Sequence, residues 1–122
     1  MKLHQSKAGN LNQFTAYGDD FVEVNQQRHH GPVLVASAAV VPWSAQALTA
    51  LGPTEIEAIL ALNPEVVLIG TGKTLRFGHP ASYAALSAAR IGVDFLDNGA
   101  LCRTFNILCA EGRQVVAAVL YD

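Results

Sequence analysis

The chain has 122 residues, 51% of them hydrophobic and 15% charged, with a formal net charge of −2. That length suits one domain with a real core, and so much apolar content excludes a disordered tail. The slight negative charge, with Lys73, Arg76, Arg90, Arg103 and Arg113 dispersed, argues against a nucleic-acid binder held by general electrostatics.

In chain order, "QFTAY" and "FVEVN" flank the turn-forming Gly18-Asp19-Asp20, which predicts a β-hairpin. Pro32 opens a third short apolar run, "PVLVAS". The next stretch, "AVVPWSAQALTALG", is ambiguous. Trp43, Ala47, Leu48 and Leu51 have helical spacing, but Pro42 and Gly52 crowd both ends, so it reads as loop with at most a short strand or helical turn. Thr54 and Glu57 then form a T-x-x-E capping box. Ile56, Ile59 and Leu60 share the inner face of that helix until Asn63-Pro64 stops it. "EVVLIG" is a continuous apolar run, as a strand covered on both faces requires.

Pro80 opens a second predicted helix over "ASYAALSAAR", with Tyr83 and Leu86 inward and Gly92 just past its end. "VDFLD" is a strand, and Asn98 is suited to cap the helix that follows. In that helix Leu101, Phe105 and Leu108 form an inward stripe, while Arg103, Asn106 and Ala110 fall on another side. Gly112 ends it, and "QVVAAVLY" supplies a last buried strand. The expected architecture is α/β: residues 1–122 as a single three-layer domain, with a mixed central sheet, helices and an N-terminal β-hairpin layer.

No apolar run approaches the roughly 20 residues of a membrane helix. The opening "MKLHQSKAGNLNQ" has no signal-peptide core, so the expected location is cytoplasmic, without membrane insertion. Cys102 and Cys109 lie seven apart in one predicted helix, about 10 Å along its axis, too far for a disulfide. Both read as small buried hydrophobes in a reducing compartment.

Candidate chemistry is sparse. "LIGTGKT" resembles half of a phosphate-binding loop, but position 67 is valine where glycine is needed. "LRFGHP" also separates the run from any helix start. The adjacent His29 and His30, with His4 and His79 far off in sequence, offer no metal-ligand spacing. No catalytic residue, metal or cofactor is expected.

The loop from Gly70 to His79 and the turn at Asp97-Asn98-Gly99 both follow strands. If those strands are neighbours, the two loops share one rim. Gly70, Thr71, Gly72, Arg76, Asn98, Arg103 and Asn106 are therefore candidate ligand-binding residues, suited to an anion or a partner's carboxylate. The alternative is structural: turn glycines, solvated cations, and an Arg103 paired with Asp97 or Glu111, with Asn106 bonding the same partner.

The block "D-x-G-A-x-C-R-T-F-N-x-L-x-x-E-G-R-x-V", preceded by "LIGTG" and "RF", resembles the Mth-type domain family of unknown function. That family includes the mitochondrial complex I assembly factor 3 and the adipogenesis-associated Mth-domain protein. The resemblance spans nearly the whole chain. It rests on Gly70, Thr71, Gly72, Arg76, Phe77, Arg103, Thr104, Asn106, Glu111 and Arg113. It implies a compact three-layer fold, no established reaction or cofactor, and assembly work through protein contacts. This chain departs from the pattern at Asn98 in place of threonine, at Phe105 in place of tyrosine, and at Gly78-His79 before the proline. Together these readings predict a non-enzymatic, assembly-factor-like domain with a protein partner, monomeric or homodimeric. The alternative is a binder of a small anionic ligand, or an unrecognised enzyme, using the Gly70–His79 loop and the start of the last helix.

Overall fold

A computed structural model describes residues 11–121, so His4 and the N-terminal reading lie outside the described residues. Phe14–Tyr17 (β1) and Phe21–Val24 (β2) form the expected hairpin. The unpredicted strand Gln27–His30 (β3) extends it to a three-stranded antiparallel sheet. The turn into β3 uses Asn25 and Gln26, both at positive φ (52° and 69°), a pair that suits a tight hairpin. "QRHH" has no apolar alternation because β3 is an exposed edge strand, and so it gave no strand signal.

Val33–Ala36 (β4) pairs with Ala39–Pro42 (β5), which resolves the ambiguous stretch as an edge strand followed by a single 3-10 turn at Leu48–Ala50. Pro42 sits at the end of the outermost strand, where a missing N–H breaks no ladder. The first helix, Pro53–Leu60 (α1), is capped by Gly52 and so starts two residues earlier than the Thr54/Glu57 box. Glu55, not Glu57, reaches back to accept from the Gly52 N–H at 2.8 Å, because Pro53 already occupies the first helical position. Asn63, at φ 58°, follows the helix and leads into Pro64.

Val66–Thr71 (β6) is the predicted buried strand. The second predicted helix is shorter than its alanines suggest: a 3-10 turn at Pro80–Tyr83, then Ala84–Ala88 (α2). Arg90, not Gly92, takes the left-handed conformation past its end (φ 62°), and Gly92 already belongs to Gly92–Leu96 (β7). The last helix, Asn98–Ala110 (α3), and Val115–Leu120 (β8) complete the chain.

The central sheet has the order β5-β4-β8-β6-β7, with β6 parallel to both β7 and β8, and β4 antiparallel to β8. Strand alternation divides its side chains between two cores. Leu34, Val67, Ile69, Val116, Ala118 and Leu120 face α1 and α2, where they meet Ile56, Ile59 and Leu86. Val33, Val35, Leu68, Val115, Ala117 and Val119 face α3 and the small sheet, where they meet Phe14, Val22, Leu101 and Phe105. Phe105 is fully buried and meets the Phe14 ring edge-on at 5.0 Å. Covering on both faces is why β6 and β8 read as unbroken apolar runs. The mixed central sheet, the helices and the separate N-terminal sheet match the predicted fold class.

Candidate functional site

β6 and β7 are adjacent and parallel, so the Gly70–His79 loop and the Asp97-Asn98-Gly99 turn do share one rim. The rim begins where β6 ends. Gly72 has φ 89°, a left-handed value that side chains disfavour, and there the chain turns sharply off the sheet. A Cβ on Gly70 would overlap the Asn98 amide oxygen and press on Leu101, so glycine there lets α3 seat close against β6.

Asn98 is buried, with 4% of its surface exposed, and it does not cap α3. Asp97 does, its carboxylate accepting from the Ala100 N–H at 2.9 Å. One residue on, the Asn98 side chain points into the sheet. Its amide oxygen accepts from the Gly72 N–H at 3.2 Å, and its amide nitrogen donates to the Leu120 carbonyl at 2.9 Å. Its own N–H donates to the Gly72 carbonyl at 2.9 Å. Asn98 thus ties the ends of β6 and β8 to the start of α3.

Thr71 is buried and equally committed. Its hydroxyl donates to the Thr74 carbonyl at 2.7 Å and accepts from the Arg76 N–H at 3.1 Å, fastening the loop to the strand end. The Arg76 guanidinium reaches the Thr71 carbonyl at 3.5 Å. Beyond this clasp the loop presents Leu75 and Phe77 to solvent, 46% and 72% exposed. Phe77 keeps one edge contact, to Phe95 at 5.8 Å, and Tyr83 meets the same ring at 5.4 Å.

A cleft of about 330 Å³ opens on this rim, walled by Tyr17, Gly18 and Asp19 of the hairpin, by Gly72 and Lys73, and by Asp97, Asn98 and Gly99. The hairpin side was not legible in the sequence, which does not say that the β1–β2 turn lies over the start of α3. The one local hint was Gly99, whose missing side chain makes room for the Tyr17 hydroxyl. Lys73 pairs with Asp19 across the cleft at 3.2 Å, and Asp97 adds a second carboxylate.

Of the sequence candidates, Gly72 and Asn98 line the cleft, while Gly70 and Thr71 lie beneath it. Arg76 sits further along the loop, and neither Arg103 nor Asn106 reaches the cleft. The expected Arg103 ion pair is not formed among the described residues. Asp97 and Glu111 lie six and eight residues away, about 9 and 12 Å along the helix axis, beyond the i+3 and i+4 spacing of surface pairs. Arg103 is exposed instead. Asn106 does not share its partner: it accepts from the Phe14 N–H at 2.8 Å and donates to the Phe14 carbonyl at 2.9 Å, docking β1 on α3.

The thiols beneath this helix are quiet. Burial pushes the Cys102 thiol up to about 12, with the Arg103 charge opposing it only in part, and burial raises Cys109 as well. Neither is a poised nucleophile. Burial also raises the Tyr121 phenol, reinforced by Cys102 and Asp20, and its hydroxyl finds no hydrogen-bond partner among the described residues. No helix among the described residues is long and apolar enough to cross a membrane.

Three similarities bear on what this arrangement is. The mouse (Mus musculus) protein named NADH dehydrogenase [ubiquinone] 1 alpha subcomplex assembly factor 3 is 32% identical over 95 residues, 76% of this chain and 51% of that protein. The chain thus spans about half the length of the curated relatives it matches first. A crystal structure of a Bordetella parapertussis protein superposes with a TM-score of 0.84 at 39% identity, covering 92% of this chain and 97% of that one. A Bordetella pertussis protein described as an Mth938-like domain superposes at 0.76 with 32% identity, covering 93% and 87% of the two chains. Residues 14–120 match the family described as a protein of unknown function (DUF498/DUF598), and the chain belongs to that family of Mth-type domains.

Proposed function

We propose that this domain works in the cytoplasm as an assembly-factor-like protein, without catalysis, through contacts made by its 73–79 loop. The observation that carries the reading is the pairing of a fixed base with an apolar tip. Thr71 clasps Thr74 and Arg76, and the clasp holds Leu75 and Phe77 out in solvent. An exposed aromatic flanked by arginine on a preorganised loop is the composition of a protein-binding hot spot. The assembly-factor name of the mouse relative supports the same direction. The test is affinity capture from the native cell with the wild-type chain and with a Leu75→Ala/Phe77→Ala variant. A partner retained by the first and lost by the second is expected. Equal recovery by both would remove the loop from the contact.

A second reading, binding of a small anion, has a place in the cleft beside Lys73 and the start of α3. Gly70, Thr71, Gly72, Arg76, Asn98, Arg103 and Asn106 were its candidate residues. The charge there favours the contact reading, because two carboxylates face one ammonium that is already paired. Titration with inorganic phosphate, followed through the Gly72 and Gly99 amide resonances, separates the two. Saturable shifts at low millimolar phosphate would restore the anion reading.

A further inference from the structure

We propose that the Asn98–Gly99 step is a fold-gated deamidation site, inert in the native protein and self-modifying whenever the chain unfolds. The chain has six asparagines, and only Asn98 is followed by glycine. Leucine, glutamine, isoleucine or proline follows the others, each either a bulky neighbour or one without an amide N–H. Glycine leaves its nitrogen unshielded by a Cβ and gives the backbone the freedom that ring closure needs. In the unfolded chain the Gly99 nitrogen attacks the Asn98 Cγ. The Cγ–Nδ2 bond breaks, and ammonia leaves with the proton that Gly99 gives up. Water then opens the resulting succinimide at one of its two carbonyls. Cleavage at Cγ leaves aspartate, and cleavage at the main-chain carbonyl leaves isoaspartate, whose backbone runs through Cβ and Cγ.

The folded chain blocks this step in three ways. Asn98 is the first residue of α3. Closure needs its Cβ and the Gly99 nitrogen eclipsed about the Cα–C bond, and a helical ψ of about −42° holds them about 80° apart. The side chain is anchored at both ends, its oxygen by the Gly72 N–H at 3.2 Å and its nitrogen by the Leu120 carbonyl at 2.9 Å. Only 4% of the residue is exposed, which keeps solvent base from the reacting atoms.

The labile pair is also the pair the fold cannot replace. Asn98 must offer an acceptor and a donor at once. Gly99 must lack a side chain, because a Cβ there would lie 2.7 Å from the Tyr17 hydroxyl. An ionised aspartate at 98 has no donor for Leu120 and turns a negative oxygen on that carbonyl. Isoaspartate lengthens the backbone between β7 and α3 by a methylene, which displaces the Asn98 N–H from the Gly72 carbonyl it meets at 2.9 Å. Either product cuts the tie between the strand ends and α3. Each visit to the unfolded state thus converts a share of the chains to a form that does not return.

Peptide mapping by mass spectrometry on the full chain tests the gate. Trypsin releases Ile91–Arg103, in which Asn98 is the only asparagine and glutamine is absent, so a single-dalton gain there reports this site alone. In denaturing guanidinium chloride at mildly alkaline pH, the gain should accumulate in that peptide first, as two chromatographically distinct products. In buffer it should be at least about a thousandfold slower, since ~10⁻³ or less of a stable domain is unfolded at any moment. At intermediate denaturant the rate should follow the unfolded fraction. On dilution from denaturant, the folded fraction collected by size exclusion should carry unmodified Asn98, with the modified chains left outside it. A native rate comparable to the denatured one overturns the gate. Modification spread evenly over the asparagines of the denatured chain overturns the site. Modified peptide shared equally between folded and misfolded fractions overturns the block to refolding.

Discussion

Replacing Asn98 by alanine should cost about 3 kcal/mol of stability, although the residue is a short polar side chain in no established catalytic role. Its amide satisfies two backbone groups on buried residues: the N–H of Gly72 and the carbonyl of Leu120. Truncation orphans both, and each buried orphan costs about 1–3 kcal/mol, so the sum is about 2–6. The gap left beside Gly70 is polar on two sides and can admit a water, which pulls the expectation to the lower half of that range. Against a total stability of about 5–15 kcal/mol, this is a large fraction. Urea unfolding at equilibrium measures it directly, with an unchanged m-value showing that the two end states are comparable. Asn98→Asp is the companion variant. It keeps the acceptor for Gly72 but turns an ionised oxygen on the Leu120 carbonyl, so near neutral pH it should cost at least as much as alanine. A loss below about 1 kcal/mol for Asn98→Ala would refute the claim that this amide ties the strand ends to α3.

Two further outcomes follow from the side chains under the small sheet. Asn106→Ala removes both bonds to the Phe14 backbone and should cost about 1–2 kcal/mol. Hydrogen exchange should localise the effect to β1, with faster exchange there and unchanged protection in β6 and β8. The buried thiols predict an alkaline limit. The folded-state value of Cys102 is raised from 9.0 to about 12, so the folded protein holds a proton that the unfolded chain releases. Its contribution is intact below pH 9 and drains away as pH rises toward 12, at roughly 1 kcal/mol per pH unit while only the unfolded state is ionised. Cys109 is shifted in the same direction and adds to the fall. Urea titrations at pH 8 and pH 10 measure the difference, and Cys102→Ala should flatten it; a wild type equally stable at both would contradict the burial argument.

The sequence revealed the parts of this fold that repeat a physical period and hid the parts set by tertiary contact. β6, β8 and the Leu101–Phe105 stripe were legible because burial on two faces, or on one helical face, leaves an uninterrupted apolar signature. β3 was not, because an exposed edge strand of Gln, Arg and His has no core to declare. The helix starts were misread by one or two residues, for one reason. A side chain with capping chemistry, Thr54 or Asn98, stood within two residues of the one that caps the helix, Gly52 or Asp97, and only backbone geometry chooses between them. The shared rim followed from strand order, but its third wall did not. Nothing in "YGDD" says that the turn will lie over Gly99, and so the cleft's excess of carboxylate over ammonium was invisible. Arg103 and Asn106 were grouped because they share a flank of α3. The helix then separated them: three residues apart, one reaches the β1 backbone and the other reaches solvent.

The same reasoning explains why the loop after β6, rather than the cleft, is the better place to look for function. A fold of this size gains about 1.5–3 kcal/mol from each large apolar side chain it buries fully. Phe77 forgoes most of that and Leu75 nearly half, and they do so on a segment whose base is clasped by Thr71 rather than left free to collapse onto the sheet. A flexible loop with the same residues would fold its phenylalanine inward or lose ordering entropy each time it met a partner. The clasp removes the first route and reduces the second cost before any encounter. Every polar group in the clasp is spent on holding backbone in place, and so are those of Asn98 beside it. The buried hydrogen-bonding capacity of Thr71 and Asn98 is thereby used up inside the molecule, and the loop tip beyond them offers Leu75 and Phe77.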